Sequence, residues 1–254
     1  MKHSVIVLFL MLFPLSAHSV CIKNEPNWLW NYDGTLGGRY QVRMTLVFAG
    51  EEVSGLYFYS SQLKDIPLKG SVIDGTNILL DEFDGAGNVV AHFEGKFPER
   101  DPRGRFGNSK LGCEVIVGSW HKVNSPESLP VYLSLESGTA GSLTNRYAPA
   151  GADDDNMIHR RVYRFWNAVR LGDKKTVAAA IAYPIRVHLP TGRKRLSNPT
   201  ELIANYDDIF SPKYREAIAN ALPRNMFVRD QGIMLGSGEV WFGPDGKVIT
   251  LNHF

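Results

Sequence analysis

The chain has 254 residues, 44% of them hydrophobic and 21% charged, with 28 Lys and Arg against 26 Asp and Glu and a formal net charge of +2. That balance is too even for a protein whose main task is nucleic acid. The clusters RDPRGR (100–105), HRRVYR (159–164) and GRKR (192–195) therefore read as solvated loops and helix faces.

The first residues form a short polar head, followed by SVIVLFLMLFPL (4–15), which is nearly all apolar. This is the length of a signal-peptide core and too short to span a bilayer. Ala17, His18 and Ser19 form the small-x-small pattern that signal peptidase reads, so residues 1–19 are predicted to be removed before Val20. The mature protein is then expected to be exported, periplasmic or secreted. No later stretch is long and apolar enough for a membrane span. Cys21 follows Val20 and Ser19 rather than a small residue, which argues against a lipid anchor. Cys21 and Cys113 are the two cysteines. An even pair in an oxidising compartment predicts one disulfide, with two buried free thiols as the other reading.

Residues 20–137 read as strand, turn, strand. In RYQVRMTLVF (39–48), Tyr40, Val42, Met44, Leu46 and Phe48 share a face. The runs VSGLYFYS (53–60), IPLKGSVI (66–73), NILLDEF (77–83), VVAHFEGKF (89–97), LGCEVIVGSW (111–120) and LPVYLSLE (129–136) follow at regular spacing. Gly and Asp turns between them predict an antiparallel meander, curled or closed into a small barrel so that no edge stays exposed. Tyr57 and Tyr59 lie on one strand face, and the loop 97–107 carries Arg100, Arg103 and Arg105. These five residues are the candidates for a partner-binding surface.

Residues 138–155 have no periodicity and read as a linker. Its run Asp153-Asp154-Asp155 lacks the spacing of an EF-hand loop and suits the N-terminus of a following helix. From 156 onward, Ile158, Val162, Phe165, Trp166 and Val169 make one helical stripe, stopped by Gly172. DKKTVAAAIAY (173–183) is a second helix, IRVHLP (185–190) a strand, and NPTELIANYDDIF (198–210) and SPKYREAIANAL (211–222) open with an Asn or Ser cap followed by Pro. Three strands end the chain. Gly236-Ser237-Gly238 has Trp241 at the third glycine position and strand rather than helix after it, so it is no dinucleotide loop. No Gly-Lys-Ser/Thr phosphate loop occurs.

This order of elements, carried by RFWNAVRLGDKKTVAAAIAYPIRV and GIMLGSGEVWF, resembles the NTF2-like (SnoaL or ketosteroid-isomerase-like) superfamily over residues 156–254. The resemblance implies a curved sheet wrapped around helices to leave a pocket. It transfers no catalytic role, because the isomerase-type Asp base and Tyr/Asp pair have no placed counterparts here. Such a pocket would draw on Arg186 and His188 from one strand and on Glu239 and Trp241 from another. The expected fold class is thus α+β in two domains, an N-terminal β-meander or barrel and a C-terminal NTF2-like cone.

Other motifs add little. The S-x-x-K matches at Ser61–Lys64 and Ser119–Lys122 lack their partner motifs, and H-E-x-x-H and G-x-S-x-G are absent. His92, His121, His159, His188 and His253 are scattered singly. No catalytic residue, metal ligand or cofactor is expected. The expected function is that of an exported binding protein with a protein partner in the cell envelope, in one form an inhibitor or immunity protein against a secreted toxin or cell-wall hydrolase. An NTF2-like binder of a small apolar ligand, or an enzyme using that pocket, is the alternative, and an envelope structural module is the third reading.

Overall fold

The computed structural model describes Cys21 and residues 23–189, 192–230 and 232–252. The predicted signal peptide with its cleavage point, and His253, lie outside the described residues. Nine strands come first: β1 (Lys23–Asn24), β2 (Trp28–Leu36), β3 (Tyr40–Gly50), β4 (Glu52–Tyr59), β5 (Ile66–Ile73), β6 (Asn77–Phe83), β7 (Val89–Lys96), β8 (Val115–Lys122) and β9 (Ser128–Ala140). From β2 to β9 each pairs antiparallel with the next. β9 then returns to β2, from Trp28↔Ala140 to Leu36↔Val131, and closes an eight-stranded barrel. Closure satisfies the edge hydrogen bonds that an open meander would leave exposed.

Alternation decides what enters the lumen. Val42, Met44, Leu46 and Phe48 of β3 are buried, while Tyr40 at the strand's start stays exposed. Tyr32, Leu68, Leu80, Phe93 and Leu133 meet the β3 residues inside. The lumen is filled: the void among Met44, Ile78, Leu80, Phe93 and Leu133 is about 10 Å³, too small for a ligand. Glycine makes the tight curvature possible. A Cβ at Gly118 would stand 2.1 Å from the Glu94 carbonyl oxygen, so any side chain there would drive β7 and β8 apart.

Cys21 and Cys113 are joined by a disulfide, with their Cα atoms 5.2 Å apart. It ties the start of the described chain to the long loop before β8. Buried Tyr32 donates its hydroxyl to the Cys113 carbonyl at 2.8 Å, which fixes the same point from inside.

After β9 come a short 3-10 turn (Ala148–Ala150), α1 (Asp155–Leu171), α2 (Lys174–Ala179), β10 (Ile185–Leu189), β11 (Gly192–Leu196), α3 (Pro199–Ala204), α4 (Tyr206–Ile209), α5 (Pro212–Asn220), β12 (Phe227–Arg229), β13 (Gly232–Leu235), β14 (Val240–Phe242) and β15 (Val248–Leu251). Asp173, Asn198 and Ser211 cap as the sequence implies, and Asp154 of the acidic run caps α1; each accepts a backbone N–H three residues on. α1 buries Ile158, Val162, Phe165 and Val169 in a second core with Phe210, Ile233 and Phe242.

This half corrects the expected fold class. The described residues form a mainly β protein, the barrel plus two small sheets, with five helices of which only α1 exceeds nine residues. They do not form a two-domain α+β protein ending in an NTF2-like cone. The expected cone needed β10 to join the last strands in one curved sheet. Instead β10 pairs with β11, from Ile185↔Leu196 to Leu189↔Gly192, as a separate hairpin. β11 is GRKRL, which has no apolar alternation to mark it as a strand. β12 to β15 make their own sheet of three- and four-residue strands. The segment 138–155 is structured: β9 runs on to Ala140, and Arg146 and Tyr147 are buried.

Candidate binding clefts at the seam between barrel and C-terminal half

The residues singled out from sequence fall in separate places. Arg186 and His188 stand on the exposed face of β10, where Arg193 Nε donates to His188 Nε2 at 3.0 Å. Trp241 is half-buried in β14, and Glu239 lines the first of the two clefts described below. Tyr57 is fully buried in the barrel, where its hydroxyl and Trp120 Nε1 both donate to Glu82, at 2.7 and 2.8 Å. A partner cannot reach it. Tyr59 is half-buried, with its ring edge-on to Tyr57 and Tyr40.

In the 97–107 loop, Asp101 is buried and accepts the N–H groups of Arg103 and Arg105 and the Tyr132 hydroxyl. Burial pushes its carboxyl up, but these bonds outweigh burial and hold it below the usual carboxylate range. The loop is thus ordered around one carboxylate. Arg103 stacks 3.7 Å from the Tyr132 ring centroid, Arg105 pairs with Glu136 at 2.8 Å, and Arg100 is exposed.

The C-terminal half lies against the outer wall of the barrel. Arg146 is the anchor: it is 2% exposed and donates to Asn31 Oδ1 of β2 at 3.0 Å and Thr45 Oγ1 of β3 at 2.8 Å. Burial lowers its pKa, since no carboxylate lies within salt-bridge distance of its guanidinium among the described residues. Thr139 of β9 donates to the Val228 carbonyl of β12 at 2.8 Å. Asp65, in the loop after β4, receives Arg224 through both oxygens at 3.1 and 2.6 Å and the Asn225 amide at 3.0 Å.

Two clefts open along this seam. The first, about 640 Å³, is lined from the barrel by Asn31, Asp33, Arg43 and Glu136 and from the other half by Asn225, Met226, Met234 and Glu239. Its carboxylates are already engaged: Asp33 by Arg43 through two bonds of 2.6 Å, Glu136 by Arg105, and Glu239 by the Ser237 N–H at 2.6 Å.

The second cleft, about 570 Å³, lies between α1 and the loop after β4. Ser60, Ser61 and Gln62 line the barrel side, and His159, Arg160, Tyr163, Trp166, Arg170 and Arg224 the other. Arg224 is neutralised by Asp65, and Arg160 lies 3.6 Å from Asp154. Arg170 has no carboxylate within 4.0 Å among the described residues, and its guanidinium sits 4.3 Å from the Trp166 ring centroid. His159 is 8% exposed. Tyr147 Oη receives the Met226 N–H at 3.0 Å and lies 2.9 Å from His159 Nε2. The Asn225 N–H also approaches that nitrogen, at 3.4 Å. Nε2 is therefore the acceptor, and the proton of the neutral ring is on Nδ1. Burial, with the nearby Arg224 cation, lowers the His159 pKa to about 3 and keeps the ring neutral.

Sequence reasoning passed over this second cleft. HRRVYR looked like a solvated helix face and Trp166 like part of the apolar stripe, yet His159, Tyr163, Trp166 and Arg170 recur at helical spacing as a second stripe that lines the cleft. No family model, curated protein or solved structure matches the chain.

Proposed function

We propose that the chain is an exported binding protein that acts without turnover and holds a protein partner of the cell envelope at the seam between its barrel and its C-terminal half. The observation that carries this reading is the contrast between a filled barrel lumen and two open clefts of about 640 and 570 Å³ along the seam. Eight-stranded barrels either fill their interior with side chains or hold a small ligand there. Here the first case applies, so recognition moves to the outside. The disulfide supports export. An inhibitor or immunity protein against a secreted toxin or cell-wall hydrolase is the specific form this reading takes.

Site-directed photocrosslinking in intact cells tests it. A photoreactive phenylalanine analogue replaces Tyr163, exposed in the second cleft, or Leu79, exposed on the barrel wall. A discrete protein adduct from position 163 and none from 79 is expected. Equal adducts from both, or none from 163, would sink the proposal.

A further inference from the structure

The second cleft holds two hydrogen-bond donors without acceptors. His159 Nδ1 and Trp166 Nε1 are both buried and unpartnered among the described residues. With Nε2 accepting the Asn225 N–H, the neutral ring carries its proton on Nδ1, a donor, and an indole N–H can only donate. A buried N–H with no acceptor costs the protein its desolvation, so two on residues that line one cleft need an explanation. Beside them stand the unpaired Arg170 guanidinium, the exposed Arg160 and the hydroxyls of Ser60 and Ser61. Every one of these groups can donate a hydrogen bond. An anion would satisfy both ring N–H groups and pair with the Arg170 guanidinium, which has no carboxylate within 4.0 Å among the described residues.

We infer that this cleft is an oxyanion site, taking a carboxylate or phosphate group between His159 Nδ1–H, Trp166 Nε1–H and the Arg170 guanidinium. The inference rests on the reading of the seam as the binding surface and names the chemistry that the second cleft receives. The anion reaches the two ring nitrogens as the exposed Arg160 and Arg170 side chains re-seat around it. A neutral imidazole suits the task, because its single proton is on Nδ1 and its other nitrogen accepts the Asn225 N–H. His159, Trp166 and Arg170 all belong to α1, at positions i, i+7 and i+11 of one helical stripe.

The test is an NMR titration of the whole oxidised protein, labelled with 15N, with sodium acetate, inorganic phosphate and sodium chloride at matched ionic strength. The Trp166 indole resonance is assigned through Trp166→Phe, and the His159 tautomer is read from its ring nitrogen shifts. Saturable movement of the Trp166 Nε1–H and His159 Nδ1 signals is expected with acetate or phosphate, and only unsaturated drift with chloride. The anion that saturates at the lower concentration identifies the source as carboxylate or phosphate. Arg170→Gln, at an exposed position, should raise the midpoint roughly tenfold, the worth of a charge-assisted bond. Identical drift with all three salts, or a His159 proton found on Nε2, overturns the inference. Crosslinking at position 163 with no anion binding would leave the protein-partner reading standing and remove this one, while anion binding without any adduct would do the reverse.

Discussion

Acidification from pH 7.5 to 5 should destabilise the protein through His159 alone by about 2 kcal/mol, rising to about 4 kcal/mol by pH 3. The figures follow from a ring held near pKa 3 in the folded state against 6.5 for an ordinary histidine. Burial is the main cause. The Arg224 and Arg146 cations lower the value further, against Asp65 and Asp154, which raise it. In the unfolded chain the imidazole takes up a proton as pH falls through about 6.5, and in the folded one only near pH 3. Across that window the unfolded state binds more protons, so His159 contributes stability that is complete above pH 6.5 and lost as pH falls towards 3.

The matched variant is His159→Gln, which cannot titrate but can still accept from Tyr147 Oη and the Asn225 N–H. Urea unfolding at pH 7.5, 6.5, 5.5 and 5.0 should show the wild type losing about 2 kcal/mol more than the variant between the extremes. Histidines elsewhere cancel in that difference. The lowered carboxyls of Asp84, Asp101 and Asp173 act at more acid pH. Parallel pH curves for the two proteins would refute the reasoning, since they would mean that His159 charges as easily folded as unfolded.

Two further outcomes are expected. Thiol counting on the denatured, unreduced protein should find no free thiol, and reducing the 92-residue link between Cys21 and Cys113 should cost about 4 kcal/mol in denaturant unfolding; two reactive thiols would show the bond does not form. Arg146→Ala should cost about 3 kcal/mol, because it removes two charge-assisted bonds and leaves a void at the seam, while Arg146→Met should cost roughly half as much by refilling the space without a buried charge. An alanine variant as stable as the wild type would mean that Arg146 does not hold the two halves together.

Much of the barrel was legible in the chain. Strict alternation in Tyr40–Phe48 and the Asp-Gly turns read directly as hairpins, because a two-residue period and short-range turns are local properties. The helix caps at Asp173, Asn198 and Ser211 were legible for the same reason. The alternation in GLYFY told that one face was core but not which. The structure turns Tyr57 inward because Glu82 and Trp120 wait there, on strands that pair with it only through the barrel. In the C-terminal half, GRKRL hid β11, since three exposed cations carry no apolar period. The small-sheet pairing that replaced the expected cone was therefore invisible.

The candidate site shows the same division. The sequence by itself determined a secretory leader pattern, a pairable set of two cysteines, an antiparallel meander and a helix whose apolar stripe needed a core. Those are matters of composition, periodicity and neighbouring residues. Only the tertiary structure decided that β9 meets β2 across about a hundred residues, that Arg146 reaches Asn31 and Thr45, and that His159 lies against Tyr147 among residues that line a cleft. Each of these joins groups far apart in the chain, and their energies depend on desolvation, which exists only once the two halves have closed on each other.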